Sequence, residues 1–157
     1  MNYCLNKAST LQIITHLKIC DTTFVPMLSE RISISDYADK IINNAVRFEA
    51  WVDNELVGLL AAYCNDTVKH TAFITNVSVL PAWHGKGIAS QLMINVIEYV
   101  YKLGFDRIAL DVDEQNRAAI KLYEKHGFLI MEKEKRDEHE TRLQRRNQRY
   151  VRSSIRL

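Results

Sequence analysis

The hydrophobic residues change their spacing at Val46, and that change constrains the fold more than any other feature of the chain. Before it the spacing is mostly helical. Ser9 stands as an N-cap ahead of Leu11, Ile13, Ile14, Leu17 and Ile19, and Ser35 as a second start ahead of Tyr37, Ile41 and Ile42, a helix ending near Asn43–Asn44. Tyr3 to Ala8 reads as a short first strand, and residues 21–34, with Pro26 and no clear period, as loop. After it, Phe48, Ala50 and Val52 alternate with Arg47, Glu49 and Trp51 until Asp53-Asn54 breaks the run. Leu56 to Tyr63 and Phe73 to Leu80 are the next two apolar strands, with a turn at Asn65-Asp66. Strands joined by such short turns predict an antiparallel meander.

The pattern then changes again. Pro81 closes the last of these strands, and Ile88 to Leu103 carries Leu92, Val96, Tyr99 and Val100 on a helical stripe that ends at Gly104. Arg107 to Val112 reads as a buried strand. Arg117 to His126 reads as a helix with Ile120, Leu122 and Tyr123 inward, stopped by Gly127. Phe128 to Met131 restarts a strand, and Tyr150 to Leu157, with Val151 and Ile155, suits an edge strand. A meander followed by helix and strand in alternation is an α+β layout, and 157 residues suit one domain spanning 1–157, with no repeat or linker.

Composition narrows the function classes. A net charge of +2 does not argue for nucleic acid. The Arg-rich stretch holding Arg142, Arg145, Arg146 and Arg149 reads first as a solvated loop and second as a basic patch for an acidic partner. Cys4, Cys20 and Cys64 form no C-x-x-C pair, so neither a zinc site nor a disulfide framework is indicated. The opening MNYCLNKAST lacks the basic-then-apolar order of a signal peptide, and no apolar run nears the ~20 residues that span a bilayer. A soluble cytoplasmic protein with no membrane partner is expected.

The segment with the most chemistry is Val77-Ser-Val-Leu-Pro-Ala-Trp-His-Gly-Lys-Gly-Ile-Ala-Ser90. A strand enters a glycine-containing turn and then a long amphipathic helix. The first amides of such a helix lack intrahelical acceptors and carry the positive end of its dipole, which suits a pyrophosphate. Gly85 and Gly87 allow close approach of the backbone to a ligand. Neither a Walker A loop nor a dinucleotide fingerprint fits the spacing around Gly85-Lys86-Gly87. On its own the segment reads first as a strand-to-helix turn without a ligand.

A second segment joins it. The chain resembles the GNAT acetyltransferase superfamily, whose first signature reads Gln/Arg-x-x-Gly-x-Gly/Ala after a Val-x-Val-x-Pro-like strand. His84-Gly85-Lys86-Gly87-Ile88-Ala89 matches it at both small-residue positions. The family's second signature appears as Asn116-Arg-Ala-Ala-Ile-Lys-Leu-Tyr-Glu-Lys-His-Gly-Phe128, in family order. The resemblance covers about Val46 to Met131. It implies a mixed, mostly antiparallel sheet splayed between its fourth and fifth strands, flanked by helices, with acetyl-CoA as cosubstrate in the gap.

On that resemblance Val77 and Val79 offer backbone groups to the pantetheine arm. The amides of Gly85, Lys86, Gly87, Ile88 and Ala89 hold the pyrophosphate, with Ser90 close behind. Asn116 contacts the amide or thiol end, and Tyr123 faces the sulfur as the catalytic residue. His84 departs from the family's Gln or Arg, so its contact is carried by a group whose charge depends on pH. No metal is implied.

The implied reaction is direct attack of a neutral amine on the thioester, aided by positioning and by a backbone N–H near Val77. A base is required, and Glu49, His70, Asp111 and Asp113 are candidates that spacing does not distinguish. Tyr123 also has an ordinary reading, as a core residue on an apolar helical stripe. The expected acceptor is a primary amine of a small molecule such as an amino sugar. A protein or peptide amine is the alternative, and a non-catalytic CoA-binding sensor is a rival class. Nucleic acid is disfavoured as a partner, and a homodimer is left open.

Overall fold

Ser9 caps the first helix through both halves of a capping box: its hydroxyl accepts from the Gln12 amide, and the Gln12 side chain accepts from the Ser9 amide. The computed structural model describes residues 1–134 and 150–157. The Arg-rich segment at Arg142, Arg145, Arg146 and Arg149 lies outside the described residues.

The elements run β1 (Asn2–Leu5), α1 (Thr10–Cys20), α2 (Leu28–Arg31), α3 (Ile34–Asn44), β2 (Val46–Val52), β3 (Glu55–Tyr63), β4 (Thr71–Val79), α4 (Ile88–Lys102), β5 (Arg107–Asp113), α5 (Arg117–Lys125), β6 (Leu129–Glu134) and β7 (Tyr150–Arg156). The segment read as loop holds α2 and a 3-10 turn at Asp21–Thr23. The N-cap of α3 is Ser33, not Ser35; its hydroxyl takes the Asp36 amide and starts the helix two residues earlier.

The seven strands form one mixed sheet in the order β1-β2-β3-β4-β5-β7-β6. β2 to β4 are the expected antiparallel meander, and β1 pairs antiparallel with the outer edge of β2. Asp53 and Asn54, with φ of 46° and 64°, form the two-residue turn between β2 and β3, since both positions need the left-handed region. β4 and β5 are parallel. The last strand differs from expectation. β7 pairs with β5 on one side and β6 on the other, so it is interior and β6 is the edge.

Helices cover both faces of the meander. α4 packs Leu92, Val96 and Val100 with Phe48, Leu60 and Ile108. On the other face, α1 and α3 bring Ile13, Leu17, Ala38 and Ile41 against Trp51, Leu59 and Ala61. Burying each such Leu or Ile contributes roughly 1.5–3 kcal/mol. Double coverage buries both sides of β2: Arg47, Glu49 and Trp51 are as buried as Phe48 and Ala50. The stripe of α1 is also rotated. Its buried residues are Ile13, His16, Leu17 and Cys20, while Leu11 and Ile19 are exposed.

Glu49 is fully buried and held by its surroundings. Its carboxylate accepts from the amides of Lys7 and Ala8 and from Trp51 Nε1, and it pairs with Arg47 Nε at 3.3 Å. Four donors saturate the group and tie the chain entering α1 to β2. Glu49→Ala leaves those donors and the Arg47 charge without their acceptor, so a loss of about 3–5 kcal/mol is expected in urea unfolding. A loss under ~1 kcal/mol would show that the network is not structural.

Candidate functional site

β4 and β5 register only from Thr71 to Ile74 against Arg107 to Leu110. Both strands run on, to Val79 and Asp113, without further pairing to each other. The sheet therefore opens into a cleft of ≈ 440 Å³ between the end of β4, the start of α4 and the face of α5. This is the expected splay. Tyr123, Val77, Val79, His84, Gly85, Gly87, Ile88, Ala89, Ser90 and Asn116 all line it. Lys86 is exposed on the turn and is not part of the lining.

The floor of the phosphate end is backbone. Gly85 and Gly87 have φ of +74° and +77°, and a Cβ at either would meet nothing within 4 Å, so open space lies above both. Gly87 is the N-cap of α4, and the first helical hydrogen bond runs from Gln91 N–H to Gly87 O. The amides of Ile88, Ala89 and Ser90 precede that bond and carry the positive end of the helix dipole. Ile88 is buried and seats the helix on β3, where a Cβ on Gly58 would lie 2.7 Å from its Cγ2. This cradle fits a pyrophosphate without crowding.

His84 turns back on the protein. Its Nε2 lies 2.8 Å from the Val79 carbonyl oxygen and donates to it, clasping the turn to the end of β4. Ser90 Oγ lies 2.7 Å from His126 Nε2, a bond joining the first turn of α4 to the end of α5. Burial, with Lys125 adding to it, pushes the His126 pKa down, so its ring is neutral at neutral pH. Sequence reasoning did not select His126, although it sits inside the second signature.

α5 carries a strong amphipathic pattern, yet none of its residues is fully buried. Ala119, Leu122 and Tyr123 look into the cleft instead of a closed core. An apolar helical face left half-covered beside an anion cradle is what an apolar tether ending in a phosphate requires. Asn116 is the N-cap of this helix, its side-chain oxygen accepting from the Ala119 amide at 3.2 Å. Its amide nitrogen is then the group left to serve a ligand. The Tyr123 ring packs against Phe128 at 6.0 Å, and burial pushes its phenol up to about 12. It keeps its proton throughout the neutral range.

A smaller cavity of ≈ 130 Å³ adjoins the cleft where β4 and β5 diverge. Thr75, Asn76, Asp111 and Asp113 line it from the strands, and Phe24, Leu28 and Tyr37 from the N-terminal segment. The four candidate bases divide here. Glu49 is the saturated structural group described above. His70 lies in a turn with its ring against Phe105 at 5.8 Å and lines neither cavity. Asp111 is bridged by Arg152, at 2.7 Å from its Nε, and Asp113 accepts from the Gln115 amide. Both Asp side chains have a protein partner and still line the cavity.

A residue that periodicity overlooked stands behind β4. His16, buried on α1, places Nδ1 2.9 Å from the Leu56 carbonyl and Nε2 2.9 Å from Ser78 Oγ. Ser78 Oγ is in turn 2.8 Å from Asn76 Oδ1. Ser78 lines the larger cavity and Asn76 the smaller. The signal was present in the sequence: a histidine at the spacing Ile13, His16, Leu17, Cys20 occupies a core stripe where an apolar residue is usual.

Comparison with known proteins gives one consistent result. Residues 12–128 match the Acetyltransferase (GNAT) family. L-amino acid N-acetyltransferase AaaT of Escherichia coli is 33% identical over 114 residues, 71% of this chain and 68% of that protein. The uncharacterized N-acetyltransferase YvbK of Bacillus subtilis is 30% identical over 95 residues, and that match spans 60% of each protein. Among solved structures, a Bacillus subtilis acetyltransferase in complex with CoA superposes with a TM-score of 0.71 at 23% identity, covering 99% of this chain and 98% of that one. Among the described residues, no helix is long and apolar enough to cross a membrane.

Proposed function

Because the chain belongs to the GNAT acetyltransferase family, we propose that it moves the acetyl group of acetyl-CoA to a primary amine of a small molecule, an amino acid or amino sugar. The observation that carries this reading is the cleft itself: a helix-terminal amide cradle, an apolar wall and a protonated phenol lie along one groove. When bound, acetyl-CoA supplies an activated thioester. The amides of Gly87, Ile88, Ala89 and Ser90 hold the pyrophosphate, with those of Gly85 and Lys86 in the turn before them. The backbone of Val77 and Val79 flanks the pantetheine arm along the unpaired edge of β4, where the Val79 carbonyl already takes the His84 ring. Asn116 steadies the thioester end through its amide nitrogen. Tyr123 donates its proton to the departing sulfur.

A small acceptor is supported by the size of the ≈ 130 Å³ cavity and by the wall that Phe24, Leu28 and Tyr37 build beside it. The named activity of the Escherichia coli relative, on L-amino acids, points the same way. A protein N-terminus would need an open groove at this point.

The test has two parts. Acetyl-CoA should raise the melting temperature in proportion to the logarithm of its concentration above Kd, and NAD or ATP should not. Thiol release should then be followed across the twenty L-amino acids, glucosamine, spermidine and a short peptide. Turnover with single amino acids or glucosamine and none with the peptide is expected. No thermal shift at millimolar acetyl-CoA would overturn the cofactor assignment. Binding with no thiol release from any amine would leave a sensor in its place.

A further inference from the structure

Hydrogen-bond counting around Ser78 leads to the missing proton acceptor. The Leu56 carbonyl can only accept, so the proton of neutral His16 is on Nδ1 and its Nε2 is an acceptor. Ser78 has one hydroxyl proton, and it lies within reach of both His16 Nε2 and Asn76 Oδ1. It cannot serve both. With His16 neutral, the hydroxyl donates to Nε2, and Asn76 must present its amide nitrogen to Ser78 Oγ. The buried Asn76 side chain is 3% exposed, and as it stands its Nδ2 has no hydrogen-bond partner. Turning the amide lets that nitrogen donate to Ser78 and swings the amide oxygen to the side where the Tyr37 hydroxyl lies, beside the cavity that both residues line. An amine N–H entering that cavity would supply a donor to the amide oxygen, which has two lone pairs to offer.

We propose that Asn76 and Ser78 form the subsite for the acceptor amine, and that His16 is the base, reached from the cleft through the Ser78 hydroxyl. The inference rests on the acetyltransfer reading above and supplies the group that reading lacks. The incoming amine donates one N–H to Asn76 Oδ1 and lies against Ser78 Oγ. As nitrogen bonds to the thioester carbon it becomes strongly acidic. One N–H bond breaks, its proton joins Ser78 Oγ, and the hydroxyl's own proton forms a new Nε2–H bond on His16. The C–S bond breaks, and the sulfur takes the Tyr123 proton. His16 and Tyr123 then reset by proton exchange with water as products leave. No electron transfer is involved.

The surroundings suit a weak, neutral base. Burial lowers the His16 pKa, so the ring is uncharged at neutral pH, yet it is basic enough for an acylated ammonium. The titratable neighbours are Cys20 on the same helix, whose sulfur is 3.6 Å from Nε2, and Tyr37 on α3, whose hydroxyl bonds to Thr75. Both are pushed up to about 12 and stay protonated. β3 contributes the Leu56 carbonyl, and β4 the uncharged Ser78 and Asn76.

The first measurement needs no acceptor. Long-range proton–nitrogen spectra of the ¹⁵N-labelled wild type at pH 7 should show His16 protonated on Nδ1 alone. A proton on Nε2 overturns the proposal. The second uses single turnovers at saturating acetyl-CoA with the fastest amine of the panel above. Ser78→Ala and His16→Gln should each lower the rate by about 10²-fold, with acetyl-CoA affinity unchanged. The double variant should lose little more, because the two act as one unit. Ser78→Thr, which keeps the hydroxyl, should stay within a few-fold of wild type. The wild-type rate should fall at low pH as His16 becomes charged, a limb absent from His16→Gln. Folded Ser78→Ala at near-wild-type rate ends the relay alone. A wild type that acetylates no amine ends the relay together with the acetyltransfer reading.

Discussion

Gly87→Asp is expected to leave the protein folded and to weaken acetyl-CoA binding by about 10³-fold. Folding should survive because a Cβ at residue 87 meets nothing within 4 Å, and aspartate is among the residues that tolerate a φ of +77°. Binding should not. The new carboxylate sits at the N-cap of α4, beside the amides of Ile88, Ala89 and Ser90 that receive the pyrophosphate. Two unit charges ~4 Å apart repel by about 4 kcal/mol at an effective dielectric of 20, or roughly three decades of affinity. The carboxylate also competes for the same amides as an ordinary helix cap. Gly87→Ala separates the effects: it carries the ~1–2 kcal/mol strain of the left-handed region without the charge. Isothermal titration with acetyl-CoA reads both. Unchanged affinity in folded Gly87→Asp would place the phosphates elsewhere.

For Tyr123→Phe the loss should fall on turnover. The substitution keeps the ring against Phe128 and deletes only the hydroxyl. A phenol pushed up to about 12 is fully protonated at neutral pH, ready to protonate a thiolate as the C–S bond opens. Removing a positioned acid typically costs 10²–10⁴-fold, and the loss should appear in the single-turnover rate with acetyl-CoA affinity unchanged. The reading of Tyr123 as ordinary core predicts near-full activity and at most ~1 kcal/mol of lost stability. Wild-type single-turnover rates in the folded variant would settle the matter in favour of that reading.

The parts of the fold that sequence made legible are those governed by local rules. Asp53-Asn54 demanded a tight hairpin, Ser9 demanded a cap, and Gly85-Lys86-Gly87 opened the long helix where the spacing placed it. What escaped depends on contacts between distant segments. Alternation in β2 does not reveal that α1 and α3 cover its second face and turn Arg47 and Glu49 into interior groups. The α1 stripe was read from its most hydrophobic residues, and His16 was passed over because its partners are Leu56 and Ser78, 40 and 62 residues away. The place of β7 escaped for the same reason: nothing within Tyr150–Arg156 says which strands will flank it.

That place has a consequence in time. β6 reaches the rest of the sheet only through β7, which follows it in the chain and lies between it and β5. During synthesis β2 to β4 can zip together in order as they emerge, each beside its neighbour in the chain, with β1 joining β2. β5 can dock beside β4, but its other edge stays bare, and β6 emerges with no neighbour to join. Until residues 150–156 arrive, the free edge of β5 and both edges of β6 stand open to any other chain nearby. The cleft between β4 and β5 is bounded by a strand that is supported on one side only until then. Its shape is therefore finished late, when the closing strand slots between two that were made before it.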